Sequence, residues 1–179
     1  ENPGKKGRKM AKISMIGAGS WGTALSVVLH NNGHEVTVWS ALEPEITMLK
    51  EHHEQVEKLP GVKLPEDMVF TTDIELAVRG QDMLVLAVPS PFTRNTAKTM
   101  APYVSEGQLI VSVAKGIEED TLMTLSQIIK EEIPQCEVAV LCGPSHAEEV
   151  GIGLPTTLVA GAKKKSTAEL VQNTFMNET

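Results

Sequence analysis

The strongest constraint on the fold is a regular alternation of short apolar runs with longer segments of helical periodicity. The apolar runs are rich in Val, Ile and Leu without polar alternation, which is typical of parallel strands buried on both faces. An α/β fold is predicted, doubly wound, with helices on both faces of a mostly parallel sheet. The predicted strands are 11–17, 34–40, 67–72, 82–89, 108–116, 137–144 and 155–162. The predicted helices are 20–33, 43–59, 73–79, 90–104, 120–133, 145–150 and 165–175.

A glycine-rich loop stands inside the first of these units. Residues 16–22 read IGAGSWG and match G-x-G-x-x-G between a predicted strand and a predicted helix, and a second strand follows. In such a loop Gly17 permits the tight turn, Gly19 lets the backbone approach a pyrophosphate, and Gly22 lets the helix pack on the strand. Ser20 and Gly33 are predicted to cap the helix. The context predicts a Rossmann-like dinucleotide-binding domain, and a purely structural turn is the alternative.

The end of the second strand bears on the choice of cofactor. Dinucleotide-binding domains usually carry an acid there for the adenosine ribose, but this strand ends in Trp39, Ser40 and Ala41, and the first acids are Glu43 and Glu45. No arginine or lysine stands at that point to bind a 2′-phosphate. NAD is therefore favoured over NADP, with Ser40 supplying a hydrogen bond to the ribose.

Two further segments follow predicted strands, at the edge where open α/β sheets bind ligands. Lys115 ends the run QLIVSVAK, and a lysine there can hold a phosphate or polarise a carbonyl; a surface lysine is the alternative. Ser145 is predicted to cap the short helix 145–150, whose free N–H groups lie at the same edge. Ser145 and His146 are not predicted to act as nucleophile and base, because sequence neighbours seldom face each other and G-x-S-x-G is absent.

The charge distribution and the lengths of the apolar runs argue against several other functions. Residues 1–10 hold four basic side chains against Glu1, and removing these five from the chain's 16 basic and 23 acidic residues leaves 12 and 22, a net charge of −10. A flexible basic leader over residues 1–10 is predicted before a domain spanning 11–179, and the acidic body argues against nucleic-acid binding, with contact through the leader the alternative. No apolar run approaches the roughly 20 residues of a membrane span, and no secretory signal is visible.

The two cysteines and the paired histidines do not indicate a metal site. Cys136 and Cys142 flank EVAVL, about 20 Å apart on an extended strand, which is too far for a disulfide or a shared metal. They are predicted to be reduced, buried thiols in a cytoplasmic protein, with a reactive thiol the alternative. His52 and His53 are expected on the solvated face of a helix, so no metal is predicted.

Taken in chain order, the segments GAGSWGTALS, LPGVKLPEDMVFTTD, AVPS, AKGIE, GPSHAEEV and GLPTT resemble the bacterial-type NAD(P)-dependent glycerol-3-phosphate dehydrogenases. The resemblance runs from about Lys12 to the C-terminus, and the co-occurrence of these motifs is more specific than any one of them. It implies a cytoplasmic oxidoreductase that transfers a hydride between sn-glycerol 3-phosphate and dihydroxyacetone phosphate for phospholipid biosynthesis, and that forms a homodimer when full length. The positions implied to contact the cofactor are Ser20, Trp21, Lys115 and Ala147, and those implied to contact the substrate are Lys115, Gly143 and Ser145.

The resemblance also implies a mostly helical second domain that supplies the catalytic lysine, beyond residue 179. The chain is then expected to be the cofactor-binding half and inactive by itself. It departs from the family at WSA, residues 39–41, where an arginine often follows in a segment like WGR, and this weakens recognition of the NADP phosphate. Two alternatives are another two-domain hydroxy-acid or sugar dehydrogenase of the same superfamily and a non-catalytic dinucleotide-sensing module.

Overall fold

A seven-stranded sheet forms the centre of the computed structural model, which describes residues 9–177. The strand order is β3-β2-β1-β4-β5-β6-β7, and every neighbouring pair is parallel except β6 and β7. The predicted doubly wound, mostly parallel fold is confirmed. The strands are β1 (Lys12–Ile16), β2 (Glu35–Trp39), β3 (Val69–Thr71), β4 (Met83–Leu86), β5 (Leu109–Ser112), β6 (Glu137–Cys142) and β7 (Val159–Ala162).

Helices cover both faces of this sheet. Short 3-10 turns at 90–92 and 101–103 flank the fourth helix. The last helix has the bounds that its periodicity predicts, and Asp73 caps the third as predicted, accepting from the N–H groups of Glu75 and Leu76. The helices are α1 (Ser20–Asn31), α2 (Glu43–His52), α3 (Ile74–Val78), α4 (Thr93–Met100), α5 (Leu125–Glu132), α6 (Ala147–Gly151) and α7 (Lys165–Phe175).

The core is divided into two layers by the sheet. In β4, Met83 and Val85 pack into the layer beneath α1 and α7, whereas Leu84 and Leu86 pack into the layer beneath α3, α4 and α5. Successive strand residues point to opposite faces, and the central strands β1, β4 and β5 are buried on both of them. This double burial explains why the runs that form β4 and β5 show no polar alternation.

The predicted N-cap residues of three helices are wrong. Ser20 is the first residue of α1 rather than its cap, and Gly19 holds the N-cap position. Helix α5 begins at Leu125, because Thr124 and not Asp120 caps it, through a reciprocal capping box with Gln127. His146 holds the N-cap position of α6, and the Ser145 hydroxyl donates to the Gly143 carbonyl instead.

The predicted helix 43–59 ends at His52. His53 adopts a left-handed conformation with φ 45°, and Glu54 then pairs with Lys63 in an isolated antiparallel bridge. The Glu54 carboxylate also accepts from the Gly61 N–H at 2.7 Å. Residues 54–63 therefore fold back as a turn, because these tertiary hydrogen bonds outweigh the helical propensity of the segment.

The prediction that both thiols are buried is correct for Cys136 and wrong for Cys142. Cys136 is buried, and burial raises the pKa of its thiol, but Cys142 at the end of β6 is exposed.

Most of the predicted leader 1–10 lies outside the described residues. Residues 1–8 are not described, and Lys9 and Met10 are exposed. Among residues 9–177, no helix has the length and apolar character needed to span a membrane.

Candidate functional site

A cleft of about 490 Å³ opens at the carboxyl ends of the parallel strands. This is the edge where ligands bind in open α/β folds, beside the point where the strand order reverses between β1 and β4. The cleft is lined by Gly19, Ser20, Trp21, Ala87, Val88, Pro89, Ser90, Val113, Ala114, Lys115, Ser145, His146, Ala147 and Glu148.

Two glycines of the loop are required by packing. Gly17 has φ +123°, and a Cβ there would lie 2.9 Å from the backbone of Ala87. A Cβ on Gly22 would lie 2.1 Å from the Gly17 carbonyl oxygen, so only glycine allows α1 to start this close to β1. Neither residue lines the cleft, and both act by bringing backbone segments together.

Gly19 is free of any such packing requirement. It has φ −71°, which every residue type adopts, and a Cβ at this position would have no heavy atom within 4 Å. The empty space lies in the cleft at the N-terminus of α1, where free N–H groups and the helix dipole favour an anion. The loop therefore fits the pyrophosphate of a dinucleotide.

The first two residues of α1 form the adjacent wall. Ser20 and Trp21, both predicted to contact the cofactor, are half-buried and line the cleft. The Trp21 Nε1 is buried and has no hydrogen-bond partner among residues 9–177. Buried indole donors usually have a partner, so this orphan is a second feature that fits a ligand next to the loop.

Lys115 and Ser145 meet across the opposite side of the cleft. Lys115 follows β5, is exposed, and its Nζ donates to the Ser145 carbonyl oxygen at 3.4 Å. Ala147 is buried at the start of α6 and packs towards α1. Gly143 does not line the cleft; a Cβ there would lie 2.5 Å from the Thr157 carbonyl oxygen, so its glycine is needed for packing against the segment before β7.

The structure thus brings six of the predicted site residues into one cleft, namely Gly19, Ser20, Trp21, Lys115, Ser145 and Ala147. It adds a wall that residue-by-residue reasoning did not assign, formed by residues 87–90 after β4. Their position after a predicted strand could have indicated this wall, because β4 is a neighbour of β1 in the sheet and ends at the same edge. Ser90 also packs on the Lys115 loop, since a Cβ on Gly116 would lie 2.9 Å from the Ser90 Oγ.

Arg94 organises the loop that carries Lys115, and sequence reasoning missed it. Its Nε and Nη2 each lie 2.7 Å from a carboxylate oxygen of Glu118, and its Nη1 contacts Glu131 and Glu132. The guanidinium holds the pKa of Glu118 down to about 2, and the three carboxylates raise the pKa of Arg94. No signal in a single sequence pairs residues 24 positions apart.

The end of β2 differs from expectation. Ser40 is buried, and its hydroxyl donates to Glu45 at 2.5 Å, so its proton is not free for a ribose as predicted. Glu45 also accepts from the Lys58 ammonium at 2.5 Å. A cation therefore does reach this end of the strand, but a carboxylate pairs with it. Within residues 9–177, no three His, Cys, Asp or Glu side chains are grouped as a metal site would require.

The sheet order, the glycine loop before α1 and the cleft at the carboxyl edge define a fold of the Rossmann type, a class in which ligands bind at this edge of the sheet. Residues 12–168 match the protein family described as the N-terminus of NAD-dependent glycerol-3-phosphate dehydrogenase. The chain belongs to this family, as its motifs suggest.

Individual relatives agree with this assignment. The chain is 66% identical over 169 residues to an NAD(P)+ glycerol-3-phosphate dehydrogenase of Agathobacter rectalis, and 49% identical over 170 residues to one of Fusobacterium nucleatum. These alignments cover 94% of this chain but 50% and 51% of the relatives, so the chain spans about half the length of the curated relatives it matches.

Solved structures show the same fold. The crystal structure of a Coxiella burnetii glycerol-3-phosphate dehydrogenase superposes with a TM-score of 0.89 at 26% identity, over 94% of this chain and 52% of that one. A UDP-glucose dehydrogenase of Pyrobaculum islandicum superposes with a TM-score of 0.72 at 18% identity, over 95% of this chain and 45% of that one. The second likeness concerns the fold alone.

Proposed function

We propose that this chain binds a nicotinamide dinucleotide in the cleft, with the pyrophosphate on the glycine loop. Three features support the proposal: the empty space at Gly19, the N–H groups at the start of α1, and the indole donor of Trp21, which has no partner among residues 9–177. Ser20 and Ala147 would line the cofactor on either side.

The whole protein, on this proposal, interconverts sn-glycerol 3-phosphate and dihydroxyacetone phosphate. The dinucleotide supplies or accepts the hydride. Lys115 would bind the anionic substrate through its ammonium group, and Ser145 would add a hydrogen bond, while Gly143 would keep the backbone before Ser145 in place. The family resemblance assigns the catalytic lysine to a position beyond residue 179, so we expect no useful turnover from this chain alone.

The observation that carries the proposal is the position of Lys115. Its ammonium group contacts Ser145 in the same cleft as Gly19 and Trp21. A cation and a hydroxyl next to a dinucleotide loop are the groups needed to hold a phosphorylated carbonyl compound near a nicotinamide.

A calorimetric titration of this chain with NADH and with NADPH, at one salt concentration, tests cofactor binding. Saturable one-to-one binding supports the proposal, and the tighter ligand decides between NAD, which the sequence favours, and NADP. No binding of either dinucleotide contradicts it. In the presence of NADH, a Lys115→Met variant should bind dihydroxyacetone phosphate more weakly than the wild-type chain, whereas Lys50→Met, at an exposed lysine of α2, should bind it as the wild type does.

The proposal includes three further properties that the family resemblance implies. They are a cytoplasmic location, a homodimer when full length, and a role in supplying the phospholipid backbone. Assays of the full-length protein separate the competing functions. Another hydroxy-acid or sugar dehydrogenase would oxidise NADH with a different carbonyl compound. A sensing module would show cofactor-dependent binding of a partner and no turnover.

A further inference from the structure

The carbonyl oxygen of Ala18, inside the glycine loop, accepts hydrogen bonds from two buried side chains. Gln55 Nε2 donates to it at 2.8 Å and Thr23 Oγ1 at 3.3 Å. Gln55 is 0% exposed and Thr23 is 1% exposed. We propose that Gln55 is a positioning residue of the dinucleotide site, which orients the Ala18–Gly19 peptide for the cofactor's pyrophosphate. The inference rests on the cofactor binding proposed above.

The planar peptide bond couples the direction of the Ala18 carbonyl to that of the Gly19 N–H. In a trans peptide the carbonyl and the following N–H point in opposite directions, so holding the Ala18 oxygen against Gln55 turns the Gly19 N–H to the other side. None of the hydrogen bonds formed within residues 9–177 uses that N–H. A free, oriented donor beside the open space at Gly19 suits an incoming anion.

Gln55 is itself held in one orientation. Its Oε1 accepts from the backbone N–H groups of Glu57 and Lys58, each at 3.3 Å, and its Nε2 donates to Glu45 at 3.0 Å as well as to the loop carbonyl. Exchanging the amide oxygen and nitrogen would put acceptor against acceptor and donor against donor at all four contacts. Glu45 is anchored in turn by Ser40 and Lys58.

The chain reversal after α2 is what brings this side chain to the loop. The turn of residues 54–63 places Gln55 against a carbonyl 37 positions earlier in the chain. Without the Gln55 amide, the loop carbonyl and the Glu45 carboxylate would each lose a buried donor. The Ala18–Gly19 peptide would then be free to rotate away from the orientation that the pyrophosphate needs.

The test compares ligands that contain a pyrophosphate with one that does not. Affinities of this chain for NADH and ADP are measured by calorimetry, and that for adenosine by competition against NADH. The variants are Gln55→Leu and Thr23→Val, each of nearly the original volume. The matched control is Gln108→Leu: the Gln108 amide holds the Gln81 carbonyl at 3.0 Å, but it precedes β5 at the opposite edge of the sheet.

Gln55→Leu should weaken NADH and ADP binding about tenfold while adenosine binding changes less than about twofold, and Thr23→Val should weaken NADH and ADP binding about threefold. Gln108→Leu should lower the melting temperature without changing affinity for NADH. Unchanged NADH binding by folded Gln55→Leu, or an equal loss for adenosine, overturns the inference. If Gln55→Leu does not fold, Thr23→Val decides in the same way. Wild-type chain that binds no NADH overturns the proposed function itself, and this inference with it.

Discussion

Arg94 and Glu118 form a bidentate ion pair, with the guanidinium Nε and Nη2 each 2.7 Å from a carboxylate oxygen. Glu118 lies three residues after Lys115 in the loop that follows β5, and Arg94 lies in α4 after β4. The pair therefore joins α4, which follows the cleft residues 87–90, to the loop that carries Lys115. Glu131 and Glu132 also contact Arg94, so three carboxylates together hold the guanidinium in place.

Replacing Glu118 should loosen the Lys115 loop. Glu118→Gln removes the charge that Arg94 holds, so we expect a lower melting temperature and faster amide hydrogen exchange over residues 115–122. The control is Glu119→Gln, because the neighbouring Glu119 is exposed and has no ion pair among the described residues. Equal effects of the two substitutions would show that the pair does not organise the loop.

The same pair should make part of the stability depend on pH. The pKa of Glu118 is lowered to about 2 in the folded chain from an ordinary value of 4.5. A carboxylate with a lowered folded-state pKa stabilises the fold above its unfolded pKa and loses this contribution as the pH falls towards the folded value. The melting temperature of the wild type should therefore exceed that of Glu118→Gln by the largest amount near pH 7, and this difference should shrink below about pH 4.5. A gap independent of pH between 7 and 3 would contradict this assignment.

Two glycines of one loop should respond in opposite ways to the same substitution. Gly19→Val places a branched side chain in open space, so the fold should survive while NADH affinity falls at least about tenfold. Gly22→Val would place its Cβ 2.1 Å from the Gly17 carbonyl oxygen, and unfolding should become easier by about 3 kcal/mol or more. Thermal melting and NADH titration separate the two effects. Unchanged affinity of Gly19→Val would favour the purely structural turn.

The two thiols should differ in reactivity. Cys142 is exposed, whereas Cys136 is buried and burial raises the pKa of its thiol, so a reagent in solution reaches only the Cys142 sulfur while the chain is folded. A water-soluble disulfide reagent at pH 8 should modify one thiol rapidly in the native chain and two in denaturant. The Cys142→Ser variant should lose the rapid phase. A rapid phase that persists in this variant would show that Cys136 is reached without unfolding.

The candidate site was predictable to the extent that it depends on position along strands. The glycine loop, Lys115 and Ser145 each follow an apolar run, and parallel strands end at one edge, so their meeting in a cleft follows from the strand pattern. The wall after β4 follows from the same rule once the strand order is known. The ion pair of Arg94 with Glu118 does not, since neither residue carries a local signal for the other.

Local patterns in the sequence determined the strands, the helix α7, the cap at Asp73 and the place of the glycine loop, because periodicity and capping act within a few residues. Only the tertiary structure decided where α2 ends, what Ser40 and Glu45 bind, and which side chain holds the Ala18 carbonyl. Those outcomes depend on buried polar groups whose partners lie between 5 and 37 positions away, beyond the range over which helical periodicity and capping act. A buried carbonyl or carboxylate must be satisfied by whichever donor the sheet topology brings to it.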